Sequence, residues 1–204
     1  VNLFKSFQWF SMASLALGVV SCAPIPPVGS PENRLPEGPI ADTVIRWPTG
    51  YEPRKAGFFV SNSIRIKASP EHIWEQIVEA EMWPSWYEGA SDVEVQSPGG
   101  RLDSGTSFKW NTMGLHFTSE VEEFLPPYRL SWESRKWNIQ GYHAWLLIPQ
   151  GDEVLLVTEE PQHGVLTLAQ KVFVPRKLHR LHDVWLAQIK ARAEAAQQGE
   201  SNDQ

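Results

Sequence analysis

The fold class predicted by the sequence is α+β: a curved seven-stranded antiparallel sheet, two short helices after its first strand, and one long helix at the C-terminal end. Three observations carry that prediction. A strand-like segment beginning at Phe58 runs directly into a capped amphipathic helix. Six segments with period-two alternation then follow one another through residues 92–162, separated by turn residues. Beyond them the apolar pattern changes to a helical period.

In FFVSNSIRIKA, Ile64 and Ile66 alternate with Arg65 and Lys67, as on a half-buried strand. In SPEHIWEQIVEA, Ser69 suits the N-cap, Pro70 the first helical position and Glu71 the positive end of the helix dipole. Ile73, Trp74, Ile77 and Val78 then share one face. EMWPSWYEG follows, where Pro84 starts a second short turn of helix that Gly89 ends. Trp83 and Trp86 fall on one side of it, either as wedges locking helices to the sheet or as walls of a ligand site. The strand segments DVEVQ, TSFKWN, LHFTSEVEEF, YRLSWESR, NIQGYHAWLLI and EVLLVTEEPQ are broken by SPGG, MG, LPP, KW and PQGD, so each pairs with its neighbour. A turn at Gly151 and Asp152 sets Pro149 opposite Val154, Trp145 opposite Thr158 and His143 opposite Glu160, all on one face. A slip of one residue would turn them all outward. In the last segment Leu178, Leu181, Trp185 and Ile189 form one stripe, and Pro175 separates an apolar piece, VLTLAQKVFV, from the long helix.

The chain has 204 residues, enough for one well-buried domain with appendages. Residues 1–21 read as a signal peptide: Lys5 is followed by an apolar run, Phe7 to Val20, that is broken by polar residues and shorter than the ~20 residues of a spanning helix. Val19-Val20-Ser21-Cys22 resembles the lipobox of bacterial lipoproteins, which implies diacylglycerol on the Cys22 thiol and a further acyl chain on its amine. Several chains, at ~0.8 kcal/mol per buried CH₂, anchor a protein stably. Ala23, rather than aspartate, favours the outer membrane in enteric-type bacteria. Residues 22–57 contain eight prolines and no apolar period, so they read as a tether, with VIRWP at 44–48 expected to lie along the domain as an extra edge. Residues 58–196 form the folded domain, and the polar residues 197–204 are expected to be disordered.

A net charge of −6 gives no basic footprint for nucleic acid. One cysteine excludes an internal disulfide and any multi-thiolate metal site. No phosphate loop, H-E-x-x-H motif or dinucleotide fingerprint is present, and no cofactor is expected. His179, His182 and Asp183 have metal-like spacing, but with Arg and Lys around them they read as a solvated helix face, so no metal is expected either. His72, His116 and His163 stand apart.

IRIKASPEHIWEQI, MWPSW, the G-x-x-F of Gly105–Phe108, LPPYRLSW, GYHAWLLIPQGD, TEEPQHGVL and LHDVWLAQIKARAEA, taken in order, resemble the START-like, helix-grip superfamily also called SRPBCC, and within it the polyketide cyclase/dehydrase-like group. The resemblance spans residues 58–196. It implies a cavity for an apolar or amphipathic molecule between sheet and terminal helix. His143 matches the histidine of the group's G-x-H-x-F-x-L pattern, with Trp145 at the phenylalanine position. The expected ligand-binding residues are Trp86, Trp110, Phe117, Trp132, His143, Trp145, Glu160, Leu181 and Trp185, the aromatic rings as walls. His143 and Glu160 either form the polar end of the cavity or satisfy each other and stiffen the sheet.

The function expected is a lipid-anchored periplasmic carrier or sensor of a lipid, isoprenoid or aromatic compound. Two alternatives stand beside it: an enzyme of cyclase, dehydratase or hydrolase type with His143 as base, and an envelope adaptor without ligand. Both faces of YHAWLLI are apolar, so Tyr142, Leu146 and Ile148 are candidates for a homodimer contact. VLTLAQKVFV is expected to act as a lid or as a membrane-touching edge.

Overall fold

The computed structural model describes residues 43–202. The expected signal peptide, Cys22, the first part of the tether and residues 203–204 lie outside them. The described chain runs β1 (Phe58–Ile66), α1 (Pro70–Val78), a 3₁₀ helix (Ala80–Ser85), β2 (Ser91–Val95), β3 (Ser107–Thr112), β4 (Leu115–Leu125), β5 (Arg129–Lys136), β6 (Ile139–Gln150), β7 (Glu153–His163), α2 (Leu166–Phe173) and α3 (Lys177–Asn202). The seven strands form one antiparallel sheet in the order β1-β7-β6-β5-β4-β3-β2. Strands β2 to β7 follow as a meander, and the first strand pairs with the last. The register between β6 and β7 sets Trp145 opposite Thr158 and Pro149 opposite Val154, as the Gly151-Asp152 turn predicts.

Helix α1 starts where its cap residues place it. Ser69 Oγ accepts from the His72 amide at 3.3 Å, and Ile73, Trp74, Ile77 and Val78 are the residues it buries. Its exposed backbone donors also recruit the end of the chain. Gln197 Oε1 accepts from the Ser69 amide at 2.9 Å, and Glu200 lies 3.1 Å from His72 Nε2. Residues 197–202 are therefore helical, not the disordered tail expected from their composition: an unsatisfied helix N-terminus supplies partners for their polar side chains.

Strand β6 is buried on both faces, because each face has its own cover. Trp145 and Leu147 point into the main core, whereas Tyr142, Ala144 and Leu146 point to the opposite, convex side. There Ile45 and Tyr51 are buried against them and Trp47 packs alongside. Trp47 meets Tyr142 edge to face at 6.0 Å, and the Tyr51 hydroxyl bonds to Glu133. Buried Arg129 donates to the Val44 carbonyl at 3.1 Å and pairs with Glu123 at 3.0 Å. The segment 43–57 thus belongs to the packed domain. It covers the face of the sheet rather than extending its edge, and it buries the apolar patch expected to hold a second subunit.

On the concave side α3 lies across the sheet and buries Leu178, Leu181, His182, Trp185, Leu186, Ile189 and Ala193. Trp185 is the centre of this contact. Its ring stacks on Tyr87 at 4.4 Å and meets Trp83 and Trp145 edge to face at 4.9 and 5.0 Å. Trp83, Trp110 and Trp132 complete the group, with ring centroids 5.7–6.4 Å apart. The expectation that these indoles stand apart as cavity walls is corrected for most of them. Trp83, Trp132 and Trp145 are meshed as solid core, because the curved sheet holds α3 far enough away that only rings of indole size bridge the gap. Trp185→Ala is expected to destabilise the domain by ~3–5 kcal/mol in urea unfolding, whereas Trp137→Ala, an exposed indole, should change it by less than about 0.5 kcal/mol.

Candidate functional site

The aromatic plug fills only part of the space under α3. Beyond it lies a cavity of about 260 Å³, bounded by strands β3 to β7 of the sheet, by α2, and by the start of α3. Trp110, Phe117, His143, Glu160 and Trp185 line it. Trp132 and Trp145 do not, since both are buried in the plug. Trp86 sits outside, half-buried, with the Arg192 guanidinium 5.2 Å above its ring; its neighbour Trp83 is the one that points inward. Leu181 faces a separate groove beside Gly89, Ala90 and Met113. The resemblance could not make these distinctions, because the turn of 3₁₀ helix and the exact roll of α3 decide them.

At the polar end, Glu160 on β7 is the hub. Its Oε2 lies 3.2 Å from His143 Nδ1 on β6 and 3.2 Å from His182 Nε2 on α3, and its Oε1 accepts from Gln162 Nε2 at 2.6 Å. His143 Nε2 contacts Thr158 Oγ1 at 2.7 Å. Burial disfavours the charged form of His143 more strongly than Glu160 favours it, and its pKa falls to about 4. Burial alone would raise the Glu160 pKa, but the contacts from His143 and His182 outweigh it and hold the carboxyl well below the usual range. Both directions describe one state: an ionised carboxylate beside a neutral His143. The proton on His143 then sits on Nδ1, and Nε2 accepts from the Thr158 hydroxyl. The phenol of Tyr87, also at the cavity, is pushed up by burial and by the charge on Glu160.

His143 and Glu160 contact each other at the cavity's polar end, and a third residue joins them. His182 was read as part of a solvated helix face, but it is buried and its Nδ1 has no partner within the described chain. The signal for it was present in the sequence. His182 lies four residues after Leu178 and three before Trp185, on the same stripe that packs against the sheet. His179 and Asp183, by contrast, are exposed and share Asn62 on β1. His143 Nδ1, Glu160 Oε2 and His182 Nε2 lie within 4.8 Å of one another, a donor set of the kind that holds a divalent cation, though here each also serves as a hydrogen-bond partner of the others.

His143 is poorly placed as a catalytic base. It is only 2 % exposed, and both ring nitrogens face protein groups. Three further polar atoms on cavity residues have no partner within the described chain: Gln162 Oε1, Gln170 Nε2 and Trp185 Nε1. Gln170 of α2 went unnoticed in the sequence because it interrupts an otherwise apolar run.

Because the folded His143 pKa is depressed, its contribution to stability is fully present above the unfolded value of ~6.5 and is lost as pH falls through about 4. Urea unfolding between these pH values should show a loss on the order of 3 kcal/mol in the wild type. His143→Gln should flatten that slope.

Residues 58–194 match the family model described as polyketide cyclase/dehydrase and lipid transport. No curated protein matches the chain. Among solved structures, a hypothetical protein of Helicobacter pylori is similar with a TM-score of 0.68 and 28 % identity, over 74 % of this chain and 96 % of its own. The di-domain ARO/CYC BexL from the BE-7585A biosynthetic pathway has a TM-score of 0.54 at 17 % identity, over 67 % of this chain and 50 % of its own. A START superfamily protein from Mycobacterium smegmatis has a TM-score of 0.52 at 16 % identity, over 65 % of this chain and 97 % of its own. The last two likenesses show the curved sheet and long terminal helix as a shared fold.

Proposed function

Because the chain belongs to the polyketide cyclase/dehydrase and lipid transport family, we propose that it binds one neutral amphipathic molecule in the cavity, as a carrier or sensor held at the membrane by lipid on Cys22. The single observation that carries this reading is the cavity itself, with an apolar wall and one polar end built around Glu160. Its volume of about 260 Å³ exceeds the ~150 Å³ that accommodates one benzene ring and falls just below the ~300–1,000 Å³ of drug-sized sites.

The charge state narrows the class of ligand. With Glu160 ionised beside a neutral His143, a second carboxylate or a phosphate set against the Glu160 oxygens would be repelled and left desolvated. A hydroxyl or carbonyl suits the unpaired groups better. Gln162 Oε1 can accept, Gln170 Nε2 and Trp185 Nε1 can donate, His182 Nδ1 offers a further hydrogen-bond position, and each costs roughly 1–3 kcal/mol while buried and unpaired. An isoprenoid alcohol, a sterol-like alcohol or a phenolic aromatic compound has the required chemistry. The lipobox-like residues 19–22 and the proline-rich stretch after them support a place on the periplasmic face of a bacterial envelope, with the outer membrane favoured by Ala23. An enzymatic reading through His143 finds no support in a ring whose nitrogens are both engaged.

Native mass spectrometry of the full-length protein, extracted gently from membranes and then denatured, tests the proposal. A chain carrying acyl groups on Cys22 and releasing a neutral small molecule is expected, with that molecule absent from Ala169→Trp, which fills the cavity from α2. A wild-type chain that emerges empty, or equal occupancy in the filled variant, would overturn it.

A further inference from the structure

Helix α2 is built the wrong way round for a helix in water. It buries its polar residues, Thr167 and Gln170, and exposes Val165 at its cap together with Leu168, Val172 and Phe173. Val165, Leu168 and Val172 fall on one stripe at helical spacing. Phe173 borders the cavity and is still 80 % exposed, so the cavity meets the surface at this helix.

A second element adds to the same patch. Trp137, in the turn between β5 and β6, is 85 % exposed. That turn is held against the start of α2 by a hydrogen bond from the Leu166 amide to the Asn138 carbonyl at 3.3 Å. Gly164 makes the approach possible: with φ at +111°, a side chain there would be strained, and its Cβ would stand 2.2 Å from the Asn138 oxygen. Six of the nine large exposed apolar side chains among the described residues, Trp137, Val165, Leu168, Val172, Phe173 and Val174, therefore lie on α2, its ends and the adjoining turn.

The charge around this tip has the opposite sign to the whole. The chain carries a net charge of −6, yet between Glu160 and Asp183 there is no acidic residue, and Lys171, Arg176, Lys177 and Arg180 all lie there. All four are exposed, and among the described residues only Arg180 approaches an acid, Glu88 at 3.5 Å. An exposed apolar stripe, a tryptophan beside it and a basic rim are the features that seat a protein in the headgroup layer of an anionic bilayer. Among the described residues no helix is long and apolar enough to cross a membrane.

We infer that the tip formed by α2 and the Trp137 turn docks on an anionic lipid surface and presents the mouth of the cavity to it. Only the identity of what passes through the mouth rests on the binding reading above; docking itself is read without any ligand. The test places an environment-sensitive nitrobenzoxadiazole label at Phe173→Cys in the full chain, with Cys22→Ser so that the label has one thiol, and adds vesicles. On phosphatidylcholine vesicles containing phosphatidylglycerol the label should brighten several-fold, shift to the blue and be quenched by brominated acyl chains. Phosphatidylcholine alone should give a much weaker response. Lys171→Glu with Lys177→Glu should weaken partitioning at least ~10-fold. A label that stays water-like on the anionic vesicles would overturn the inference, even if a ligand is found in the cavity. Label burial that grows with protein concentration in the absence of lipid would also overturn it, by assigning the patch to a protein partner.

Discussion

The packing of Trp185 against the concave face of the sheet is the contact on which the rest depends. Strand β1 pairs with β7, so the chain leaves the sheet beside its β1 edge and α3 returns across the hollow of the curve. A helix carrying only leucines there would leave a void. Trp185 instead reaches Tyr87, Trp83 and Trp145 and fixes the spacing between the two layers. That spacing creates the site as a by-product. Where indoles face one another the interior is solid, and beyond Trp185, toward α2, a cavity stays open.

The polar end depends on that geometry in turn. Glu160 comes from β7, His143 from β6 and His182 from α3, so the carboxylate is shared between sheet and helix. A buried carboxylate is costly, and its position near the open cavity rather than within the plug leaves polar groups where an occupant could partner them. The cluster also ties the roll of α3 to the register of β6 on β7. A one-residue slip of either strand would separate His143 from Glu160 and carry Trp145 out of the plug.

Local chemistry made most of this legible in the sequence. Period-two segments and turn residues gave seven strands in the right order, the Gly151-Asp152 turn gave the register, and Ser69, Pro70 and Pro175 gave the helix boundaries. What was not legible depended on long-range packing. The polar end of α3 reads as disordered until α1 supplies an unpaired helix N-terminus for Gln197. The proline-rich segment around VIRWP reads as linker until the convex face of β6 is available to bury Ile45 and Tyr51. In the site, His182 was masked by the charges flanking it, although its position on the buried stripe gave it away. Trp86 and Trp83 could not be separated without the 3₁₀ turn that sends one inward and the other to Arg192. The inverted amphipathicity of α2 shows only when Gln170 is seen to be buried and Phe173 exposed.

The proposed preference of the cavity for an uncharged polar head rests on Glu160 being ionised beside it. Titration of the full-length protein by calorimetry with an alcohol and a carboxylate of the same medium chain length tests this most directly. The alcohol should bind at least ~10-fold more tightly, a difference of about 1.4 kcal/mol, and Glu160→Gln should narrow the gap. A carboxylate that binds as tightly as the alcohol, with no response to Glu160→Gln, would contradict it.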